Sequence, residues 1–395
     1  MKASPFQLLC GIGLLAIFSS TMSKSPVLPL FAKALGATSS TVGLIAAAST
    51  VVGIVASAPA GVLSDVLGRR RVILFAVFIF ASAPFFYLPI VGTWHLILVR
   101  AYHGLATAIF GPVAMASVAD LYVAQRGEKM GWYSSATLVG RSAAPFVGGV
   151  LLSLASGSGM WRYRIVYLVC GTAGVLAFVL ALKLPVREGV PFDAEGGLDR
   201  VLSGLSTVIR HRGILFTGVA EAAQLFGYGA YEVFLPLYAM SVGISTSLIG
   251  ILLGAKVLTL TFSKPLMGRL SDRYGRRGQI VAGLIVGALS LGAIPFLRSF
   301  WALLVLSLLL GSSMAAVTAS TAALVSDMAE GAYGSALGVM STIMDVGHAS
   351  GPIATGYLIG AMGYRGGYPV VGGVLLSVAL LFPIMVPKPV RGERR

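Results

Sequence analysis

The sequence predicts an all-α integral membrane protein, with twelve transmembrane helices in two pseudo-symmetric six-helix bundles. The first observation is composition: 56% of the 395 residues are hydrophobic and only 11% are charged. Soluble proteins carry about a quarter charged residues, so a chain this poor in charge must turn most of its surface toward lipid. The second is that apolar stretches of about 20 residues, long enough to cross a bilayer, recur along the chain. The third is an internal repeat.

The apolar stretches predict the individual spans. The first six are expected at residues 6–31, 41–64, 71–91, 94–120, 130–155 and 162–184, and the second six at 213–240, 246–268, 278–296, 299–326, 334–361 and 367–386. Only Lys2 precedes the first stretch and no small-residue cleavage site follows it, so we expect it to remain as a span. Cys10 and Cys170 both fall in apolar stretches, and we expect no structural disulfide.

The formal net charge of +15 is distributed unevenly. One set of alternate loops, together with both chain ends, holds most of the basic residues. The other set holds only Lys33, Arg162, Arg164, Arg298 and Arg365. Basic residues mark the cytoplasmic side of a membrane protein. We therefore expect a multi-pass protein of the cell (inner) membrane with both termini in the cytoplasm. Membrane lipid headgroups, and not nucleic acid, are the expected partners of the basic loops.

A polar cassette occurs twice, as GVLSDVLGRRR from Gly61 and as GRLSDRYGRRG from Gly268. Asp65 and Asp272 are 207 residues apart, and the same shift aligns residues 28–149 with the second half without a gap. The chain is therefore predicted to be two homologous six-helix bundles, residues 1–184 and 212–395, joined by a cytoplasmic linker at 185–211. Two parallel six-helix repeats with a substrate held between them is a known transporter architecture.

The motifs at these positions resemble those of the major facilitator superfamily, over essentially the whole chain. The signature G-x-L-x-D-x-x-G-R-[RK] stands at Gly61–Arg70, with a second copy at Gly268–Arg277. On the fourth span, R-x-x-x-G is matched by Arg100 and Gly104. The fifth-span signature departs only at Ala144 and is otherwise matched by Gly131, Gly140, Pro145, Gly148 and Gly149. An echo on the eleventh span departs at Thr355 and comprises Gly338, Gly347, Gly351, Pro352 and Gly356.

The resemblance implies a conformational latch at the cytoplasmic ends of the spans. It would join Asp65, Arg69 and Asp120 in the first half and favour the outward-open state. The matching set in the second half is Asp272, Arg276 and Asp327, and the glycines that allow the turns are Gly61, Gly68, Gly268 and Gly275. The alternative is that these loops are only basic anchors and tight turns. The fifth-span pattern is similar to that of exporters and antiporters in the family, and ordinary small-residue packing is its alternative.

Charged residues inside the spans are candidates for substrate binding or proton coupling, because each costs about 2.5–3.5 kcal/mol at the bilayer centre on insertion scales. Near mid-depth lie Arg141, Glu221, Lys256, Asp345 and His348; Arg100 is in the outer third of its span, and Lys24, Glu232 and Lys264 are nearer span ends. The family resemblance links Arg100 to proton coupling; packing against backbone carbonyls is the alternative. The charges near span ends could instead extend to the interface.

Asp345 and His348 are three residues apart and share a helix face, and the repeat places His348 at the position of Arg141. These groups could bind an anionic substrate or exchange protons, whereas a neutral structural Asp–His pair is the alternative. The four histidines and two cysteines have no metal-ligand spacing, and no Walker loop is present. We therefore expect no enzyme activity and no cofactor, with a proton gradient as the energy source.

The sequence thus predicts a monomeric secondary active transporter: a proton-coupled efflux antiporter of small organic molecules that works by alternating access between its halves. The first alternative is proton-coupled uptake of small organic anions, suggested by Lys24, Arg141 and Lys256. The second is a membrane receptor or assembly factor that has the transporter fold without transport.

Overall fold

The structure, a computed structural model, describes residues 4–185, 211–328 and 333–386. Almost all of the predicted linker 185–211 lies outside the described residues. The described chain is helical, and short turns join the helices. The first six helices are α1 (Pro5–Ala34), α2 (Ser39–Leu67), α3 (Arg69–Phe86), α4 (Thr93–Leu121), α5 (Arg126–Leu154) and α6 (Trp161–Leu182). A break at Ser25-Pro26 divides α1 into Pro5–Lys24 and Val27–Ala34.

The second half has helices at the corresponding places: α7 (Arg212–Ser241), α8 (Thr246–Tyr274), α9 (Arg276–Ala293) and α10 (Phe300–Met328), followed by one helical stretch, Tyr333–Met385. In that last stretch Gly363 has the non-helical angles φ 67° and ψ −177°, which divide it into α11 (residues 333–362) and α12 (residues 364–385). The predicted loop at 362–366 is therefore a kink at a single glycine, because glycine tolerates positive φ without a Cβ clash.

The apolar character of the helices agrees with the predicted fold. Nine helical stretches in the described part of the chain are long and apolar enough to cross a membrane, with α11 and α12 counted as one. The two others, α3 and α7, are less apolar. The first begins with three arginines and the second carries Glu221, Gln224 and Glu232. The all-α fold of twelve spans in two six-helix halves is confirmed.

Local geometry repeats at the same interval as the sequence. Gly36 and Gly243 precede α2 and α8 with φ of 85° and 87°. Gly68 and Gly275 end these helices with φ of 88° and 97°. Positive φ at such a position favours glycine, so the glycines of the cassettes at 68 and 275 make the turns that the sequence predicts. Because α2 ends at Leu67, the backbone leaves the helix between Asp65 and Arg69.

Hydroxyl side chains cap several helices. Ser4 and Gln7 form a capping box on α1, in which the Gln7 amide donates to Ser4 Oγ at 3.2 Å and the Ser4 amide donates to Gln7 Oε1 at 2.9 Å. Thr38 accepts from the Thr41 amide at 3.2 Å at the start of α2. Such caps satisfy backbone donors that have no partner within the helix.

The chain clusters into two compact units. The first unit comprises Met1–Phe192 with Glu232–Val257 and Pro352–Ala361, and the second comprises Asp193–Tyr231, Leu258–Gly351 and Met362–Arg395. Phe80 and Phe110 lie in the buried core of the first unit. Leu284, Val317 and Phe382 lie in that of the second. The first unit thus includes parts of α7, α8 and α11 beside the first six helices, and the predicted domain boundary at 185–211 stays a prediction.

Candidate functional site

The first cassette brings two predicted latch residues together. Arg69 is the first residue of α3, and its Nε donates to Asp120 Oδ2, on the last turn of α4, at 3.1 Å. Its Nη1 also donates to Ser64 Oγ. The side chain of the third latch residue, Asp65, lies outside the described part, as do the surroundings of Gly61. Among the side chains that the structure describes, the Arg69–Asp120 ion pair of the predicted latch therefore links the start of α3 to the end of α4.

The second cassette is described more fully. Arg276 Nη1 lies 2.5 Å from Asp327 Oδ2, and its Nη2 lies 3.7 Å from Asp272 Oδ1. Arg276 also donates to the backbone carbonyl of Ala323. All three of the predicted residues meet here. Both carboxylates are more than half exposed, and exposed ion pairs contribute at most about 1 kcal/mol each to stability. Such a cluster can therefore open at small cost.

The fifth-span glycines divide between two partners. A Cβ at Gly140 would lie 2.4 Å from the Leu14 carbonyl oxygen, and one at Gly148 would lie 3.2 Å from Met22 Cγ, so both pack on α1. A Cβ at Gly149 would lie 2.5 Å from the Thr246 carbonyl oxygen on α8. Gly131 has nothing within 4 Å of such a Cβ. Of these four glycines, only Gly149 therefore packs against the second half of the chain.

The same contact recurs at repeat-related positions. A Cβ at Gly250 on α8 would lie 2.5 Å from the carbonyl oxygen of Pro145 on α5. A Cβ at Gly43 on α2 would lie 2.2 Å from the carbonyl oxygen of Pro352 on α11. Gly356 meets the Ser39 carbonyl oxygen, at 2.5 Å, as Gly149 meets that of Thr246. We call these two close approaches, α5 with α8 and α2 with α11, the paired glycine contacts.

The other glycines of the eleventh span pack on α7. A Cβ at Gly347 would lie 2.2 Å from the Ala222 carbonyl oxygen, and one at Gly351 would lie 2.2 Å from that of Phe226. Backbone approach this close excludes every side chain larger than hydrogen. The packing of α11 on α7 therefore resembles that of α5 on α1. Close helix packing is enough to explain the glycines at these two positions, without a role in antiport.

Four charged side chains from α1, α5, α7 and α8 interact in the first unit. Lys24 Nζ and Glu232 Oε2 form an ion pair at 2.7 Å, with 22% and 9% of the side chains exposed. Lys256 on α8 is buried, with 2% exposure, and the charges of Glu232, Lys24 and Arg141 all act on its ammonium group. Lys24 and Glu232 therefore pair with each other and do not extend to the membrane interface. We call these four residues the basic cluster.

A second buried carboxylate lies in the other unit. Glu221 on α7 is 3% exposed, and Thr321 Oγ1 on α10 donates to its Oε2 at 2.5 Å. The charge of Lys264, on α8, also acts on Glu221. One turn further along α7, the buried Gln224 donates from Nε2 to Ser313 Oγ at 3.1 Å. A carboxylate inside apolar helices, with a hydroxyl donor and a distant cation, is suited to binding and releasing a proton.

Arg100 is also buried, with 3% exposure, and its Nη2 donates to Ser49 Oγ on α2. A Cβ at Gly104, one turn further on, would lie 2.5 Å from Ser49 Cα. The R-x-x-x-G motif thus holds α4 against α2. The repeat-related Ser307 accepts instead from Tyr231 Oη at 2.7 Å. This arrangement fits a packing role for Arg100 at least as well as a role in coupling.

Asp345 and His348 are both half-buried on α11. The His348 ring stacks on Tyr228, with 5.3 Å between centroids. Asp345 forms no ion pair or hydrogen bond with another side chain in the described ranges. The two residues share a helix face, as the spacing predicts, without a direct bond.

Sequence reasoning missed several polar partners. Thr321, Ser49 and Tyr228 are ordinary residues of apolar helices, and nothing in their local sequence marks them. Gln224 could have been found, because it lies three residues after Glu221 and so shares its helix face. In the described part of the chain no group of three or more His, Cys, Asp or Glu side chains could hold a metal ion.

Comparison with known proteins gives consistent results. The chain is 25% identical over 371 residues to an uncharacterised MFS-type transporter of Methanocaldococcus jannaschii, covering 92% of this chain and 91% of the relative. It is 23% identical over 379 residues to the quinolone resistance protein NorA of Staphylococcus aureus, covering 95% and 93% of the two chains.

Solved structures share the fold. The inward-facing, unoccupied structure of a bacterial homologue of the human lysosomal transporter Spinster superposes with a TM-score of 0.78 at 16% identity, covering 97% of this chain and 95% of the other. The nucleoside transporter NupG gives a TM-score of 0.76 at 14% identity, covering 97% and 100%. The model of the Major Facilitator Superfamily matches residues 9–255 and 219–395. The chain therefore belongs to the Major Facilitator Superfamily of membrane transporters.

Proposed function

We propose that this transporter is a proton-coupled antiporter that exports small organic molecules across the cell membrane. The observation that carries the proposal is the pair of buried carboxylates in α7, Glu221 and Glu232, each beside a polar partner from another helix. Burial of a carboxylate disfavours its charged form. A change in hydration between two states of the protein can therefore load and unload a proton at such a group.

Export is supported by the fifth helix and by one relative. Gly149 and Pro145 pack on α8 in the series that resembles antiporters of the family, and the chain is similar over most of its length to a quinolone resistance protein. The cytoplasmic position of both termini belongs to the same proposal and is supported by the uneven distribution of basic residues between alternate loops.

Glu221, Glu232, Asp345 and His348 are the proposed proton-coupling groups. Asp345, which lies half-buried on α11, and its neighbour His348 on the same face could exchange a proton as a unit. Glu221 is more deeply buried and has Thr321 as a hydrogen-bond donor. Arg100, which Ser49 already engages, is assigned to packing of α4 on α2 in this proposal.

A second function, proton-coupled uptake of small organic anions, is favoured by the basic cluster, which contains three cations and one carboxylate. The two functions differ in the direction of proton movement. When substrate is added outside proteoliposomes, an antiporter moves protons out of the lumen and makes it alkaline, whereas a symporter makes it acidic.

The experiment uses purified full-length protein in proteoliposomes with a trapped pH-sensitive dye, and norfloxacin, a quinolone, as the probe. We expect a rise in lumenal pH on addition of the probe, absent from protein-free liposomes. A fall in lumenal pH would establish uptake. No signal with quinolones, organic acids or lipophilic cations would contradict transport itself and favour a receptor with this fold.

A further inference from the structure

An ion pair joins the first helix of one half to the first helix of the other. Lys24 Nζ on α1 lies 2.7 Å from Glu232 Oε2 on α7. Lys24 is the last residue of the segment Pro5–Lys24, and Glu232 lies nine residues before α7 ends at Ser241. The bond therefore lies inside the two spans, toward the ends of α1 and α7.

Each partner of this ion pair is held by its own half. Ser23, the residue before the lysine, accepts at its backbone carbonyl from Tyr167 Oη on α6, at 3.4 Å. Tyr231, the residue before the glutamate, donates from Oη to Ser307 Oγ on α10 at 2.7 Å. Because both sides are fixed in this way, the ion pair cannot follow one half alone. When the halves separate at this level, the bond must break.

The paired glycine contacts belong to the same end of these helices. A short turn leads from the end of α1 to the start of α2, and another from the end of α7 to the start of α8. The paired glycine contacts join those two starts to α11 and α5, whereas the latch residues lie at the far ends of α2 and α8. Close backbone packing carries no charge, so the ion pair adds a directional, charged bond to this end.

The energetics of the ion pair suit a contact that opens and closes. Loss of water offsets most of the attraction between two buried charges, so such a pair adds little net stability, although loss of one partner is costly. The Lys24 side chain is partly exposed, so water can reach both groups as they separate. The pair can therefore select one arrangement of the halves and release it at moderate cost.

We propose that the Lys24–Glu232 ion pair is a lock between the two halves of the chain. It favours the state in which the paired glycine contacts are closed, and it separates when the ends of α1 and α7 part. This inference goes beyond the proposed function, because it concerns the opening of one end of the transporter and holds for either direction of transport.

The test measures how often this end opens in purified full-length protein. A single cysteine is placed at Ala47, and Cys10 and Cys170 are replaced by alanine. Ala47 is 2% exposed and lies one turn after Gly43 on α2, so it shares the helix face that packs on α11. A small hydrophilic thiol reagent should therefore label Ala47→Cys at a rate set by the open state.

Variants of the ion pair should change this labelling rate. Lys24→Met and Glu232→Gln should each raise it about tenfold or more, since a hydrogen bond to a charged group contributes roughly that factor. The double variant should label no faster than the single variants, because the two residues act through one bond. Lys24→Arg keeps the charge and should retain most of the protection. Lys33→Met removes an exposed lysine near the end of the same helix and should leave the rate unchanged.

A cross-link shows whether the labelling reports movement between the halves. A Cβ at Gly360 would lie 3.5 Å from Ser40 Oγ, so cysteines at these two positions can form a disulfide between α11 and α2 when the two helices are packed. Oxidation should then suppress the labelling of Ala47→Cys in every variant, and reduction should restore it. Labelling that persists in the cross-linked protein would place the movement inside the first half and overturn the proposal.

Two further results would overturn the lock: equal labelling with and without Lys24→Met, or a double variant whose increase is the product of the two single increases. If Glu232→Gln lowers Tm, Lys24→Met and Lys24→Arg decide the question, because the lysine side chain is partly exposed. Labelling needs neither substrate nor a pH gradient. A lock that behaves as expected in protein that moves no protons in proteoliposomes would therefore contradict the proton-coupled function alone.

Discussion

Repeat-related residues differ wherever charge is buried. The shift of 207 residues places Ser49 at the position of Lys256 and Arg100 at that of Ser307. The first half therefore carries a cation on its fourth helix and a hydroxyl on its second, and the second half carries the reverse. Arg100 uses its hydroxyl partner within the first half. The two halves share backbone geometry, whereas their chemistry at buried polar positions is distinct.

Glu221 is the residue whose substitution tests coupling most directly. Glu221→Gln keeps an acceptor for Thr321 and removes the titratable group, so the fold should be retained. We expect transport driven by a pH gradient to be lost, while exchange of labelled for unlabelled substrate continues, because exchange needs no net proton movement. Both rates are measured in proteoliposomes.

Asp345→Asn is the comparison for Glu221→Gln, because Asp345 is less buried and makes no bond to another described side chain. If Asp345→Asn abolishes gradient-driven transport and Glu221→Gln does not, the proton is carried on α11 and the assignment to Glu221 is wrong. In that case His348→Gln should shift the pH optimum of transport, since His348 shares the helix face of Asp345.

At the scale of helices, the glycines of the fifth-span motif differ in the helix that each one contacts. Gly149 packs on the backbone of α8 and Gly140 on that of α1, whereas a Cβ at Gly131 would have nothing within 4 Å. The spacing of the motif alone cannot separate these cases, because glycine leaves no side-chain pattern to show which partner it faces. The sequence predicts the glycine motif in α5, whereas the structure shows which helix each glycine contacts.

The contact at Gly149 gives a prediction about packing. Gly149→Leu should destabilise the protein by about 1–3 kcal/mol, as overpacking does, and should abolish transport, because α5 could no longer approach α8. Gly131→Leu is the matched control on the same helix and should retain both Tm and transport. Equal loss of transport in the two variants would mean that α5 tolerates no leucine, and that the α8 contact has no special importance.

Much of the fold was predictable from sequence, and the exceptions have physical causes. Apolar stretches located all twelve spans because lipid requires a continuous hydrophobic length. One interruption was not predicted, the break at Ser25-Pro26 in α1, which lies inside apolar sequence where hydropathy does not change although the backbone does. A second interruption was predicted as a loop at 362–366 and is a kink at Gly363, because one glycine with positive φ is enough to turn the chain.

The candidate site was predictable as a set of charges but not as a set of pairs. The cost of charge in a membrane marked Lys24, Glu232 and Lys256 as functional candidates. Their pairing depends on how helices from two halves of the chain meet, which sequence spacing does not determine. The same holds for Glu221 and Thr321, which are 100 positions apart.

For the whole molecule, the uneven loop charge predicts the orientation in the membrane. The test places single cysteines at Arg71, in the strongly basic first turn of α3, and at Gly157, in the weakly basic connection between α5 and α6; both positions are exposed. Cys10 and Cys170 are replaced by alanine. In intact cells an impermeant maleimide should label the cysteine at 157 and not the one at 71, and cell lysis should make both reactive. Labelling at 71 alone would invert the proposed orientation.

The paired glycine contacts have a consequence for evolution of the chain. In each, the start of the second helix of one half meets the fifth helix of the other, so the surface is isologous, as in a two-fold symmetric dimer. Each half therefore carries both sides of a self-complementary interface, and the single chain resembles a fused homodimer at this seam. A bulky residue at position 149 would meet backbone atoms of Thr246 and Gly250, so no smaller side chain on α8 can make room for it, while the repeat-related contact at Gly356 keeps its original fit.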